Sequence, residues 1–183
     1  MLNIFKRIIW SLQYRFWRIP FFHKFKIYNT DVRNLVVSPG GVGTTFVMEY
    51  LEKYIKINNK SDRDQLKHIP NIPLSLKKNV KILFITSNFE EIYKSLEKRD
   101  WVKYNALKLG SPLSKIHKKK KLKKIFYHLV EKQKKAFENN KKHCILIIEY
   151  KDIWKKKMEI MKHFEIKNLE FLENFPEKKE RTS

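Results

Sequence analysis

The sequence predicts an α/β domain in three layers, with helices on both faces of a central parallel sheet. Three observations carry that prediction. Leu35-Val36-Val37, Ile82-Leu83-Phe84-Ile85 and Cys144-Ile145-Leu146-Ile147-Ile148 are apolar without alternation, as strands covered on both faces read. Segments of helical period lie between them, and alternating strands and helices call for a parallel sheet with right-handed crossovers. The turn after the first run, Ser38-Pro39-Gly40-Gly41-Val42-Gly43-Thr44-Thr45, holds three of the chain's four glycines. Ligands in such folds bind at the carboxyl ends of the strands, which is where this turn falls.

The elements follow in order. Residues 1–30 mix Phe5, Trp10, Phe16 and Trp17 with Lys6, Arg7, Arg15 and Arg18, and Phe5, Ile9, Leu12 and Phe16 share one helical face. This segment reads as a helix lying in a membrane interface or as one packed on the domain. Arginines interrupt its apolar part and no small-residue cleavage site follows, unlike a secretory signal. The α/β domain is expected over residues 31–175 and a charged tail over 176–183.

The first strand is expected at 33–37. A helix from Thr44 to about Ile57 buries Phe46, Val47, Tyr50, Leu51, Tyr54 and Ile55. A polar loop from Asn58 to Asp62 leads to a short strand at 64–69, and Pro70 and Pro73 mark a turn. The second strand is 81–86. Ser87 and Asn88 are a helix-start pair, followed by an amphipathic helix through Phe89, Ile92, Tyr93 and Leu96. Residues 99–115 carry no period and read as a surface loop. The lysine run at 118–124 opens a helix through Leu122, Ile125, Phe126, Leu129, Val130 and Phe137. The third strand is 144–148, with Cys144 as a core residue, and a last helix spans 152–164.

The chain has 183 residues and is 42% hydrophobic, enough for one domain with a real core. Cys144 is the sole cysteine, which excludes an intrachain disulfide and a cysteine-based zinc cluster. No metal site is expected. No stretch is long and apolar enough to span a bilayer, so the expected location is cytoplasmic, with peripheral attachment to the inner face of a membrane. The formal net charge of +22 favours polyanionic partners: nucleic acid, anionic lipid, or a phosphorylated or sulfated small molecule. An AT-rich genome would produce the same excess of lysine.

Chemistry concentrates in the turn at 38–45. A strand, a glycine turn and a helix N-terminus aim several N–H groups at one centre, an anion site. A P-loop proper needs lysine before its Ser or Thr. Here Thr44 holds that place and Thr45 the next, which disfavours γ-phosphoryl transfer and leaves a divergent nucleotide kinase as a minor alternative.

A loop ending Gly43-Thr44-Thr45 resembles that of the sulfotransferase family, which uses 3′-phosphoadenosine 5′-phosphosulfate, PAPS. Three further segments match in order: Lys67-His68-Ile69-Pro70; the strand from Lys81 with Ser87-Asn88 and Ser95; and Ile147 to Ile153. The resemblance implies a P-loop-like fold and sulfuryl transfer from PAPS to a hydroxyl of a carbohydrate or lipid. It implies His68 as general base, a phosphosulfate cradle from Ser38, Gly40, Gly41, Val42, Gly43, Thr44 and Thr45, and Ser87 and Ser95 at the 3′-phosphate. Two positions depart from the family pattern. Its loop commonly reads Pro-Lys-Ser-Gly-Thr-Thr, and no basic residue stands in this loop; Ser87 replaces the arginine that precedes the asparagine. Lys67, Arg99 or the lysines of 118–124 are the candidate replacements. A second function class stays open: a non-catalytic binder of polyanions or membrane surfaces that keeps the fold.

Overall fold

A computed structural model describes residues 32–74, 76, 79–112 and 119–177. The aromatic basic segment at 1–30, the last six residues of the tail and the first position of the lysine run lie outside the described residues.

Three strands form one parallel sheet in the order β1 (Asn34–Val37), β2 (Lys81–Thr86), β3 (Cys144–Glu149). Leu35 is in register with Ile82, Val37 with Phe84, and Ile82 with Ile145. Among the described residues six α-helices accompany the sheet: α1 (Thr44–Leu51), α2 (Phe89–Glu97), α3 (Val102–Lys108), α4 (Lys119–Glu138), α5 (Lys157–His163) and α6 (Glu170–Glu173). The class is therefore α/β.

Both sheet faces carry buried apolar side chains, as non-alternating strands require. On one face Val36, Leu83, Ile85 and Ile148 meet Met48 and Leu51 of α1, Ile92 and Leu96 of α2, Phe126 of α4, Ile160 of α5 and Phe171 of α6. On the other, Leu35, Val37, Ile82 and Phe84 meet Leu66, Ile69, Ile72, Leu76, Val80 and Phe137. The second face is thus covered by an irregular segment and the end of α4. Phe84 and Phe137 stack there at 4.6 Å. Each such fully buried side chain contributes roughly 2–3 kcal/mol.

Five expectations need correction. No strand forms at 64–69. Asp64 Oδ2 and Oδ1 accept the Asn59 and Leu66 N–H groups, Asp62 Oδ1 accepts that of Lys67, and Asp62 and Gln65 hold φ of 57°. These side-chain bonds build turns in place of a strand ladder. Helix α1 stops at Leu51, and Tyr54 and Ile55 reach the core from the turns beyond it. Residues 102–108, read as loop, are helix α3. Its period is hidden because Asn105 and Lys108 are buried among the apolar positions. Cys144 is exposed, because β3 is an edge strand among the described residues. The last helical stretch opens as a 3₁₀ turn at Tyr150–Asp152, and α5 begins at Lys157.

Asn58 fixes the segment that leads into the site. Its Oδ1 accepts from Val36 N at 2.7 Å and its Nδ2 donates to Val36 O at 3.0 Å, so one side chain pairs with β1 as a neighbouring strand would. Ser38 N then donates to Lys67 O at 2.9 Å. Residues 58–68 are thereby laid along β1 and delivered to the turn that follows it.

Candidate anion-binding site

The turn at 38–45 runs from the carboxyl end of β1 to the start of α1. Gly40 and Gly43 have φ of 97° and 67°, the left-handed region that favours glycine. Space excludes side chains there as well. A Cβ on Gly40 would lie 2.5 Å from Asn105 Oδ1, and one on Gly43 would lie 2.3 Å from the Tyr150 ring. Gly43 is the N-cap of α1 and offers no side-chain hydrogen bond, and the first turn carries no acidic residue. The helix N-terminus therefore keeps its donor character and its partial positive charge.

The hydroxyls divide into two roles. Ser38 is fully buried and Thr44 is 4% exposed. Thr44 Oγ1 donates to Ser38 Oγ at 2.6 Å, and Gly40 N donates to the same oxygen at 3.2 Å. These groups shape the turn. Val42 is fully buried in the core and contributes backbone alone. Gly41 rests on α2, where a Cβ would meet Ile92 O at 2.8 Å. Thr45 is exposed and carries the hydroxyl that faces outward.

Lys67 meets that hydroxyl. Its Nζ donates to Thr45 Oγ1 at 2.5 Å and to Lys60 O at 2.8 Å. The residue is 6% exposed, and burial pulls its pKa from 10.5 down to about 8. Glu49, Asp64 and Glu52 act weakly against that shift, and among the described residues Lys67 forms no ion pair. A buried ammonium with two neutral acceptors and no carboxylate is an incomplete site, because buried charges ordinarily need a counter-charge. An anion on the loop would supply one.

His68 meets the other end of the turn. Its Nδ1 lies 2.9 Å from Ser38 O. A carbonyl only accepts, so Nδ1 carries the proton and Nε2 the lone pair in the neutral ring. Gln133 of α4 closes the corner, donating to Ile69 O at 2.6 Å and to Ser38 O at 3.4 Å.

Ser95 lies on α2, the helix that supports Gly41. Its Oγ accepts from Arg99 Nη2 at 2.9 Å, and Arg99 Nε donates to its carbonyl at 2.9 Å. The guanidinium sits over the Trp101 ring at 5.2 Å. Arg99 is close enough to help depress the Lys67 pKa. Ser87 is placed differently: its hydroxyl donates to the Glu91 carboxylate. The structure therefore gathers Ser38, Gly40, Gly41, Val42, Gly43, Thr44, Thr45 and His68 at one turn. It sets Ser95 on the adjoining helix and ties Ser87 to an acidic partner.

Sequence reasoning missed Asn105, Gln133 and Tyr150. Gln133 had a legible signal, since it stands between Val130 and Phe137 on the apolar face of α4 and is fully buried. Among the described residues no group of three or more His, Cys, Asp or Glu is arranged to hold a metal. No helix among them is long and apolar enough to cross a membrane. No protein-family model matches the chain, and neither a curated protein nor a solved structure matches it.

Proposed function

We propose that the chain is a sulfotransferase-like enzyme with a three-layer, P-loop-like fold, moving a sulfuryl group from PAPS to a hydroxyl of a carbohydrate or lipid. One observation carries the reading: two consecutive residues, Lys67 and His68, bring an ammonium and an imidazole to opposite ends of the glycine turn. Anion binding and proton abstraction are thereby joined at one place.

In this reading the α1 N-terminus, Thr45 and Lys67 hold the phosphosulfate, with Lys67 in the role of the missing loop cation. His68 Nε2 takes the proton of the acceptor hydroxyl as its oxygen bonds to sulfur. The bond between sulfur and the bridging oxygen breaks, and 3′-phosphoadenosine 5′-phosphate leaves with the electron pair. Arg99 and Ser95, paired on the helix that supports Gly41, take the 3′-phosphate in this reading. Supply of the missing positive charge from Lys67 and Arg99 is what separates this reading from loss of function.

Calorimetric titration with 3′-phosphoadenosine 5′-phosphate at low salt tests it. Saturable binding that is weakened about 30-fold in Lys67→Met supports the proposal; no binding by folded protein refutes it. The exposed lysines of α4 favour one other reading, a non-catalytic binder of nucleic acid or anionic membrane. That protein would bind anionic vesicles or nucleic acid with a steep salt dependence and show no saturable nucleotide site.

A further inference from the structure

Outside the turn, an open cavity of about 570 Å³ lies beyond the carboxyl end of β2. It is lined by Asn88, Phe89 and Glu90 at the start of α2 and by Lys123, Lys124 and Tyr127 on α4. We infer that this cavity binds an anionic saccharide, and, resting on the sulfuryl-transfer reading above, that this saccharide is the acceptor.

Four features select that ligand. Phe89 and Tyr127 meet edge to face at 5.1 Å, and Tyr127 is 43% exposed, giving an apolar wall to a polar cavity. Such a wall suits the C–H face of a sugar ring. Lys123 Nζ is fixed by Glu90 Oε2 at 2.8 Å and sits over the Tyr93 ring at 5.1 Å. It is therefore a shaped part of the lining. Lys124 is exposed and forms no ion pair among the described residues, leaving a cation for a carboxylate or sulfate on the sugar. Glu90 favours a sugar: its carboxylate, already paired with Lys123, accepts hydrogen bonds from sugar hydroxyls, whereas phosphate oxygens offer it no donor. The cavity opens at the same carboxyl end of the sheet as the turn, since Asn88 is two residues past β2 and Ser38 one past β1.

The test titrates the full chain with tetragalacturonate, which has one carboxylate per ring, and with its methyl ester, which has none. A single-stranded oligonucleotide of equal charge is the third probe. Lys124→Glu and Tyr127→Ala should each weaken tetragalacturonate binding by about tenfold, the scale of one lost charge or ring contact. The exposed Lys141→Glu, outside the cavity, should leave it unchanged, and the ester should bind at least as weakly as the variants do. Retained 3′-phosphoadenosine 5′-phosphate binding in each variant shows an intact fold and tests the transfer reading separately. Equal weakening by Lys141→Glu, equal affinity for the ester, preference for the oligonucleotide, or no saccharide binding would each overturn the inference. Saccharide binding at the cavity without nucleotide binding would overturn the acceptor role and leave the binding site standing.

Discussion

Removal of the Lys67 amine is the perturbation that bears most directly on the site. Lys67→Met keeps most of the volume of the side chain and deletes the charge. With a pKa of about 8, the wild-type ammonium is roughly 90% protonated at pH 7 and roughly 10% at pH 9. Phosphate monoesters are doubly ionised well below that range, so the ligand charge is constant across it. Affinity for 3′-phosphoadenosine 5′-phosphate should then fall about tenfold between pH 7 and pH 9. At pH 7 the variant should bind about 30-fold more weakly, for the loss of one charged hydrogen bond worth about 2 kcal/mol. Its affinity should also be flat between pH 7 and pH 9. Stability should move in the opposite direction. The folded pKa lies below the unfolded value, so the unfolded chain holds more protons between about pH 8 and 10.5, and this group makes stability rise with pH across that window. Below pH 8 the whole penalty is present, roughly 3 kcal/mol for a shift of this size. Lys67→Met should therefore unfold at a higher denaturant concentration at pH 7, less the contribution of the two lost hydrogen bonds. Calorimetry at constant ionic strength and urea unfolding read the two effects. A variant that binds as tightly as wild type, with the same pH dependence, would refute the assignment of Lys67 to the anion.

Four other perturbations separate the parts of the fold and the site. His68→Gln should lower the transfer rate by about 10²–10⁴-fold, measured with labelled PAPS, and leave product affinity unchanged; equal loss of both would mean that His68 shapes the site instead of abstracting a proton. Gly43→Ala drives a methyl group into the Tyr150 ring and should cost about 1–3 kcal/mol in urea unfolding, together with nucleotide binding. Gly110→Ala, at φ +94° with no atom within 4 Å of the added group, should leave binding intact. Asp62→Ala strips the buried Lys108 of its ion-pair partner and should cost about 3–5 kcal/mol; adding Lys108→Met should restore the part due to the uncompensated charge and leave the part due to the lost Lys67 N–H bond.

The strands were legible because their apolar runs do not alternate, and α2 because Asn88 caps it through Glu90 N at 2.9 Å and Glu91 N at 3.3 Å. The turn was legible because glycine clustering has a local cause, the need for positive φ. What was not legible depends on contacts distant in sequence. Helix α3 disappears from the hydropathy pattern because Asn105 sits against Gly40 and Lys108 pairs with Asp62, across 46 residues. The exposure of Cys144 was not legible, since an apolar run alone does not distinguish a central strand from an edge. Lys67 was a candidate for the missing cation, but so were Arg99 and the lysine run. Only the turns built by Asp62 and Asp64, and the Asn58 clamp on Val36, set its amine on Thr45.

The placement of Lys67 follows from the shape of the turn. In the loops this one resembles, the basic residue comes directly after the proline. That position here is Gly40, where φ is 97° and Asn105 Oδ1 stands 2.5 Å from any Cβ. A side chain there would be strained by the positive φ and would displace the Asn105 amide. In the proposed role the charge enters instead from the segment laid along β1, whose Lys67 reaches Thr45. Entry from the side has a physical consequence. A lysine on an open loop is hydrated and stays charged well above neutral pH, whereas one 6% exposed at the sheet edge titrates near pH 8. A bound anion raises that pKa again, so ligand binding above pH 8 should be accompanied by proton uptake. Calorimetry at pH 8.5 in two buffers of different ionisation enthalpy measures this directly. Uptake approaching about three-quarters of a proton per nucleotide places the anion on Lys67; no uptake would mean that the charge compensating the phosphosulfate comes from another side chain.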